Sequence, residues 1–189
     1  DEKLDLPVLF FEFGADAFNA KNFAEDQGAQ ASFLRGQWQE MYNKAYGNGQ
    51  EGNSIGGYVF EFRDEWWKYK QTENLDIHDR TASWANGGYT YDHVEGQNNM
   101  NEEWWGVARL GRVNSDGVYV AEPRAAYYVL SDVWAIDPYK YKTESINASI
   151  SDIDLEHYML IGDVVMLKSE NEQRKAFTVS GGSLEVEFV

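Results

Sequence analysis

Leu6-Pro7-Val8-Leu9-Phe10-Phe11-Glu12-Phe13-Gly14 decides how the rest of the chain is read. Four consecutive apolar residues, Val8 to Phe11, follow a proline, a residue that suits the first position of a strand. The run does not alternate. It therefore predicts a short strand buried on both faces, as in a parallel sheet. It ends on Glu12, then Phe13 and Gly14. A carboxylate closing an apolar strand is costly to bury unless it is paired or working. Two readings of Glu12 are open: an acid turned to solvent or paired with a cation such as Arg63, or a catalytic group.

Beyond Gly14, the polar stretch Ala15 to Asp26 reads as a loop. Gln27 to Tyr46 predicts a helix, with Ala31, Leu34, Trp38, Met41, Tyr42 and Ala45 at spacings of three and four. Gly47-Asn48-Gly49 stops it. Gly52 to Gly57 reads as a loop, and Tyr58 to Phe62 as a second strand. Gln71 to Glu102 is a long polar stretch without periodicity, a pattern usually tied to function. Trp105–Leu110 and Val118–Val120 predict a hairpin around Asn114-Ser115-Asp116-Gly117. Pro123 opens a helix with Ala126, Tyr127, Leu130, Val133 and Trp134 on its apolar stripe. Farther on, Asp152 is expected to cap a helix running to Met166. Phe177–Val179 and Ser183–Val189 are expected as strands around Gly181-Gly182. The last stops in mid-alternation, as if more chain followed.

Strand, helix, strand, long loop and helix make a βαβα order, which argues for a parallel sheet with crossover helices. Acids and aromatics cluster at the C-terminal ends of both strands. In a (β/α)8 barrel that is the face where chemistry sits.

Composition narrows the classes. The 189 residues carry 16 Lys and Arg against 32 Asp and Glu, a formal net charge of −16. Nucleic acid is excluded as an expected partner, because a phosphate backbone needs a basic footprint. With no cysteine there are no disulfides and no thiolate chemistry. No apolar run is long enough for a membrane-spanning helix. Aromatics make up 15% of residues, seven of them Trp. Aromatic rings stack on the CH faces of sugars and acids bind their hydroxyls, but composition alone favours the plainer reading that they fill the core. His78, His93 and His157 lack metal-ligand spacing. Asn74, Asp76 and Asp79 lack the spacing of a calcium loop. No metal and no cofactor is expected. Asn147-Ala148-Ser149 is a glycosylation triplet of a kind that chance supplies often.

Three segments together resemble one family. Pro7-Val8-Leu9-Phe10-Phe11-Glu12-Phe13-Gly14 is similar to the strand-seven end of retaining (β/α)8-barrel glycoside hydrolases, most of all their β-glucanase-like members. Gly57 to Lys68 resembles their strand-eight segment. Asn101-Glu102-Glu103-Trp104-Trp105-Gly106-Val107 with Pro123 to Leu130 looks like their closing stretch into helix eight. The resemblance covers roughly residues 6–138. It implies an α/β chain forming the C-terminal part of a (β/α)8 (TIM) barrel over residues 1–140, with a small α+β tail over 141–189. It implies that Glu12 is the nucleophile of a covalent glycosyl intermediate on β-linked glucan. Phe13, Tyr58, Glu61, Arg63, Asp64, Glu65, Trp66 and Trp67 are the implied substrate-binding residues, and oligo- or polysaccharide the partner. An extracytoplasmic location follows from the resemblance alone. The strand-four Asn-Glu that supplies the family's acid/base has no counterpart here. The missing part of the barrel is therefore a further implied partner. The alternative class is a non-catalytic carbohydrate-binding or surface-interaction protein, which would need no carboxylate at position 12.

Overall fold

The computed structural model describes residues 6–19, 24–47, 52–65, 101–161, 175–180 and 183–188. Strand β1 (Val8–Phe13) leads through two paired strands of two residues each, β2 (Phe18–Asn19) and β3 (Ala24–Glu25), into helix α1 (Gln27–Asn43). Strand β4 (Ser54–Val59) then pairs with β1 in parallel. This is the βαβ unit expected from the order of the elements. The hairpin β2–β3 lies within the stretch that reads as a loop; its strands are too short to show a period.

Asp26 starts α1: its carboxylate accepts the Ala29 backbone N–H at 2.9 Å. The buried stripe, Gln27, Gln30, Ala31, Leu34, Trp38, Met41 and Tyr42, follows the helical spacing. The helix stops at Asn43, ahead of the glycines, because the chain turns to strand pairing. Ser54 donates to the Lys44 carbonyl at 2.9 Å and accepts from the Tyr46 N–H at 2.7 Å. β4 also begins earlier than Tyr58. The Gly56-Gly57 pair that reads as a loop lies inside the strand. At Gly57 a Cβ would stand 2.7 Å from the Phe13 ring and 2.9 Å from the Phe10 carbonyl, so glycine here permits close strand approach.

Beyond β4, residues 61–64 run beside 105–108. Val107 N–H bonds Glu61 O at 2.9 Å and Ala108 N–H bonds Phe62 O at 2.9 Å. A short 3₁₀ turn, Glu102–Trp104, precedes this pairing. Strands β5 (Ala108–Val113) and β6 (Tyr119–Pro123) form the expected hairpin. The Asn114 side-chain oxygen accepts from Asp116 and Val118 N–H, and Gly117 takes φ +77°. Pro123 closes β6 instead of opening a helix; α2 begins two residues on (Ala125–Trp134). In α2 the buried side is Ala125, Ala126, Val129, Leu130 and Val133, whereas Tyr127 and Trp134 are exposed.

Helix α3 (Thr143–Ser151) replaces the expected start of a helix at Asp152, which ends α3. Helix resumes over residues 155–161, where Asp154 accepts the His157 N–H at 3.0 Å. Ile146 and Ile150 of α3 enter the same core as Leu34, Trp38, Leu130 and Val133. That core thus continues past residue 140 and joins part of the expected tail to the α/β unit. Strands β7 (Lys175–Ser180) and β8 (Ser183–Phe188) pair antiparallel, as the alternation predicts.

The β1–β4 pair is covered by helices on one face, where Phe13 and Val59 pack against the core. Burial of the Val8–Phe11 run on both faces is not observed: Phe10, Phe11 and Tyr58 are exposed. Two strands offer one face to the helices, and no other described element covers the rest. No helix among the described residues is long and apolar enough to cross a membrane.

Candidate functional site

Two charged features lie at or beyond the end of the β1–β4 pairing, and they differ in kind. The first is Glu12 with its aromatic neighbours. Glu12 is exposed on β1. Phe11, the residue before it, meets Tyr58 across the strand pair, ring centroids 6.1 Å apart and planes tilted by 30°. Phe11 is 74% exposed and Tyr58 61%. Among the described residues no hydrogen bond or ion pair reaches the Glu12 carboxylate. An exposed carboxylate can accept hydroxyl donors or act as a nucleophile, and the uncovered rings of Phe11 and Tyr58 offer flat apolar surface. Phe13 is placed otherwise: it packs edge-on to Trp38 at 5.8 Å and serves the core.

The second group is an internal ion network. Arg124, fully buried, donates from Nη1 and Nη2 to the two oxygens of Asp64 at 2.6 and 2.8 Å. Its Nη1 also reaches the Gly106 carbonyl at 2.6 Å, and its Nε bonds Glu25. Arg109 extends the network to Glu25 at 2.6 Å and Glu122 at 3.1 Å. The Trp104 ring lies 5.7 Å from the Arg124 guanidinium carbon. Burial disfavours the Arg124 charge, but Asp64 and Glu25 outweigh that and hold its pKa above the usual guanidinium value. The fork geometry suits a bidentate carboxylate pair, so every charge there has a partner.

This places the expected substrate-binding residues apart. Asp64 is fully buried and clamped by Arg124, and it also accepts the Gly106 N–H at 2.9 Å. A sugar does not reach it there, so the expectation for Asp64 is corrected. Arg63 is turned to the hairpin, with Nη2 on the Tyr119 carbonyl at 2.6 Å, instead of to Glu12. Glu61 and Glu65 are half-buried. Among the described members of the expected set, Tyr58 stands exposed on the strand beside β1. Trp66, Trp67, Asn74, Asp76, His78, Asp79 and His93 lie outside the described residues. Glu25, Arg109, Glu122 and Arg124 were not legible as one cluster, because their bonded pairs lie 13 to 99 positions apart and follow no local spacing rule.

Gly14 and Gln30 fix the geometry just beyond Glu12. A Cβ on Gly14 would collide with the Phe60 carbonyl and come within 3.2 Å of the Trp105 ring. Gln30, wholly buried, donates to the Ala15 and Gly106 carbonyls at 3.0 and 3.1 Å. It ties the end of β1 to the segment beside β4.

Comparison of the chain with protein-family models, with curated proteins and with solved structures gave no match.

Proposed function

We propose that this chain is the nucleophile-bearing part of a (β/α)8 glycoside hydrolase acting on β-linked glucan with retention, and that Glu12 is the nucleophile. The observation that carries this reading is the place of Glu12. It is exposed at the C-terminal end of a parallel strand, one residue after Phe11, whose ring meets that of Tyr58. In the proposed reaction the Glu12 carboxylate attacks the anomeric carbon. The glycosidic C–O bond breaks as the ester forms. The leaving oxygen takes a proton from an acid on the remaining part of the barrel, and water then hydrolyses the ester. Further parallel strands are the proposed cover for the bare face at Phe10, Phe11 and Tyr58, since parallel strands are normally buried on both sides.

A non-catalytic, carbohydrate-binding role is the second reading. It is favoured by the lack of donors to Glu12 among the described residues, because a retaining nucleophile is usually held ionised by such donors.

Thermal shift of the wild type and Glu12→Gln with laminari- and cello-oligosaccharides separates the two. Under the proposal the chain binds oligosaccharide, Glu12→Gln weakens binding, and the chain alone does not turn substrate over. Turnover abolished by Glu12→Gln would show that no further barrel part is needed. Equal binding by both proteins favours the non-catalytic role.

A further inference from the structure

We infer that Gln30 is a positioning residue for Glu12: from the first turn of α1, its amide fixes the backbone that follows the nucleophile. The inference rests on the reading of Glu12 given above. Among the described residues no hydrogen bond or ion pair reaches the Glu12 carboxylate. Its place is therefore set by the chain that carries it.

Several ties hold that chain just beyond Glu12. The Phe13 carbonyl accepts the Phe60 N–H at 2.8 Å, and the Ala17 N–H donates to the Trp104 carbonyl at 2.9 Å. The Asp16 carboxylate accepts the Asn101 N–H at 2.5 Å. Between Phe13 and Asp16, the Ala15 carbonyl accepts from Gln30 Nε2 at 3.0 Å. The same nitrogen reaches the Trp105 and Gly106 carbonyls at 3.3 and 3.1 Å. Gln30 is wholly buried, so these carbonyls have no water to turn to when the amide is removed.

Gly106 is held on both sides. Asp64 accepts its N–H at 2.9 Å, and Arg124 donates to its carbonyl at 2.6 Å. A Cβ on Gly106 would collide with the Asp64 backbone. Gln30 and Arg124 thus meet on one carbonyl, and the Gln30 amide links the buried ion network to the strand end that bears Glu12. The buried acid, Asp64, supports the exposed one through this link. The consequence is kinetic. Attack needs the reacting atoms about 3–3.5 Å apart, and a misplacement of about 1 Å costs on the order of 100-fold.

The test is the rate at which the full chain is labelled by 2,4-dinitrophenyl 2-deoxy-2-fluoro-β-glucoside. A Glu12 oxygen bonds to the anomeric carbon as the C–O bond to the leaving group breaks, and dinitrophenolate departs with the electron pair. Rates over a range of reagent concentrations separate the binding constant from the rate constant of the bound state. Gln30→Met keeps the length of the side chain and removes both donors. It should lower the rate constant at least about tenfold and leave the binding constant within about twofold. Gln30→Asn keeps the amide but shortens its reach, should act in the same direction, and decides if Gln30→Met does not fold. Asp26→Ala is the control: it weakens the same helix through its cap and leaves the side-chain partners of Gln30 in place. Its rate constant should match the wild type. A labelled wild type with an unchanged rate constant in the Gln30 variant would overturn the role of Gln30 alone. An equal fall in Asp26→Ala would overturn it too, by showing a general loss of stability. An unlabelled wild type would overturn the reading of Glu12 as nucleophile, and this role with it.

Discussion

Glu12 lies near the end of β1 and Asp64 five residues beyond β4, and the surroundings of these two acids are opposite. Asp64 is fully buried, held by two nitrogens of Arg124 and by the Gly106 N–H. Glu12 is exposed, and among the described residues no hydrogen bond or ion pair reaches its carboxylate. Removing one partner from a buried ion pair strands the other, whereas a solvated carboxylate leaves little behind when it goes. The contrast separates an acid that organises the fold from one the fold does not need. The second kind is the better candidate for work on a ligand.

The largest expected effect is Arg124→Met. It leaves Asp64 and Glu25 without their shared guanidinium and should cost about 3–5 kcal/mol, enough to abolish folding in urea titrations. A loss below about 1 kcal/mol would mean that the network carries little stability. Next comes Gly14→Ala. Its Cβ would press on the Phe60 carbonyl, for an expected loss of about 1–3 kcal/mol or more. A normal urea midpoint would show that the end of β1 yields more easily than its packing implies.

How much of this was legible follows the same divide. The βαβ order and the helix over the Leu34–Trp38–Met41 stripe were readable, because burial of one face imposes a period on the sequence. The β5–β6 turn was readable because Asn114 and Gly117 have specific backbone roles. The start of β4 was missed because Gly56-Gly57 signals a turn locally but permits strand contact globally. The Arg124 network was missed because ion pairs between distant positions leave no periodic trace. Glu12 was legible as an anomaly, a charge ending an apolar run, and that anomaly marks the exposed end of β1.

Smaller effects sharpen the contrast. Asp26→Ala removes the cap of α1 and should cost about 1 kcal/mol by chemical denaturation; no loss would show that the cap is replaced by solvent. Tyr42→Phe removes the bond to Val133 and should cost about 0.5–1.5 kcal/mol at neutral pH. Burial, with Asp137 adding to it, raises the Tyr42 pKa above its ordinary value. The raised pKa sets the sign: this stabilisation is complete below about pH 10, the unfolded value, and is lost as pH rises through the higher folded value. Tyr42→Phe should therefore lose less stability than the wild type above about pH 10. Equal alkaline slopes would count against the burial of that hydroxyl.

Glu12→Gln should have the smallest effect on folding, within about 0.5 kcal/mol. The same position offers the most direct test of a working carboxylate. The measurement is intact-mass and peptide-mapping analysis of the chain incubated with 2,4-dinitrophenyl 2-deoxy-2-fluoro-β-glucoside. The activated leaving group departs without an acid, so labelling does not depend on an acid/base carried by the remaining part of the proposed barrel. The account predicts one covalent fluoroglucosyl ester, mapped to Glu12 and lost in Glu12→Gln. An unlabelled chain, or labelling that persists in Glu12→Gln, would contradict it.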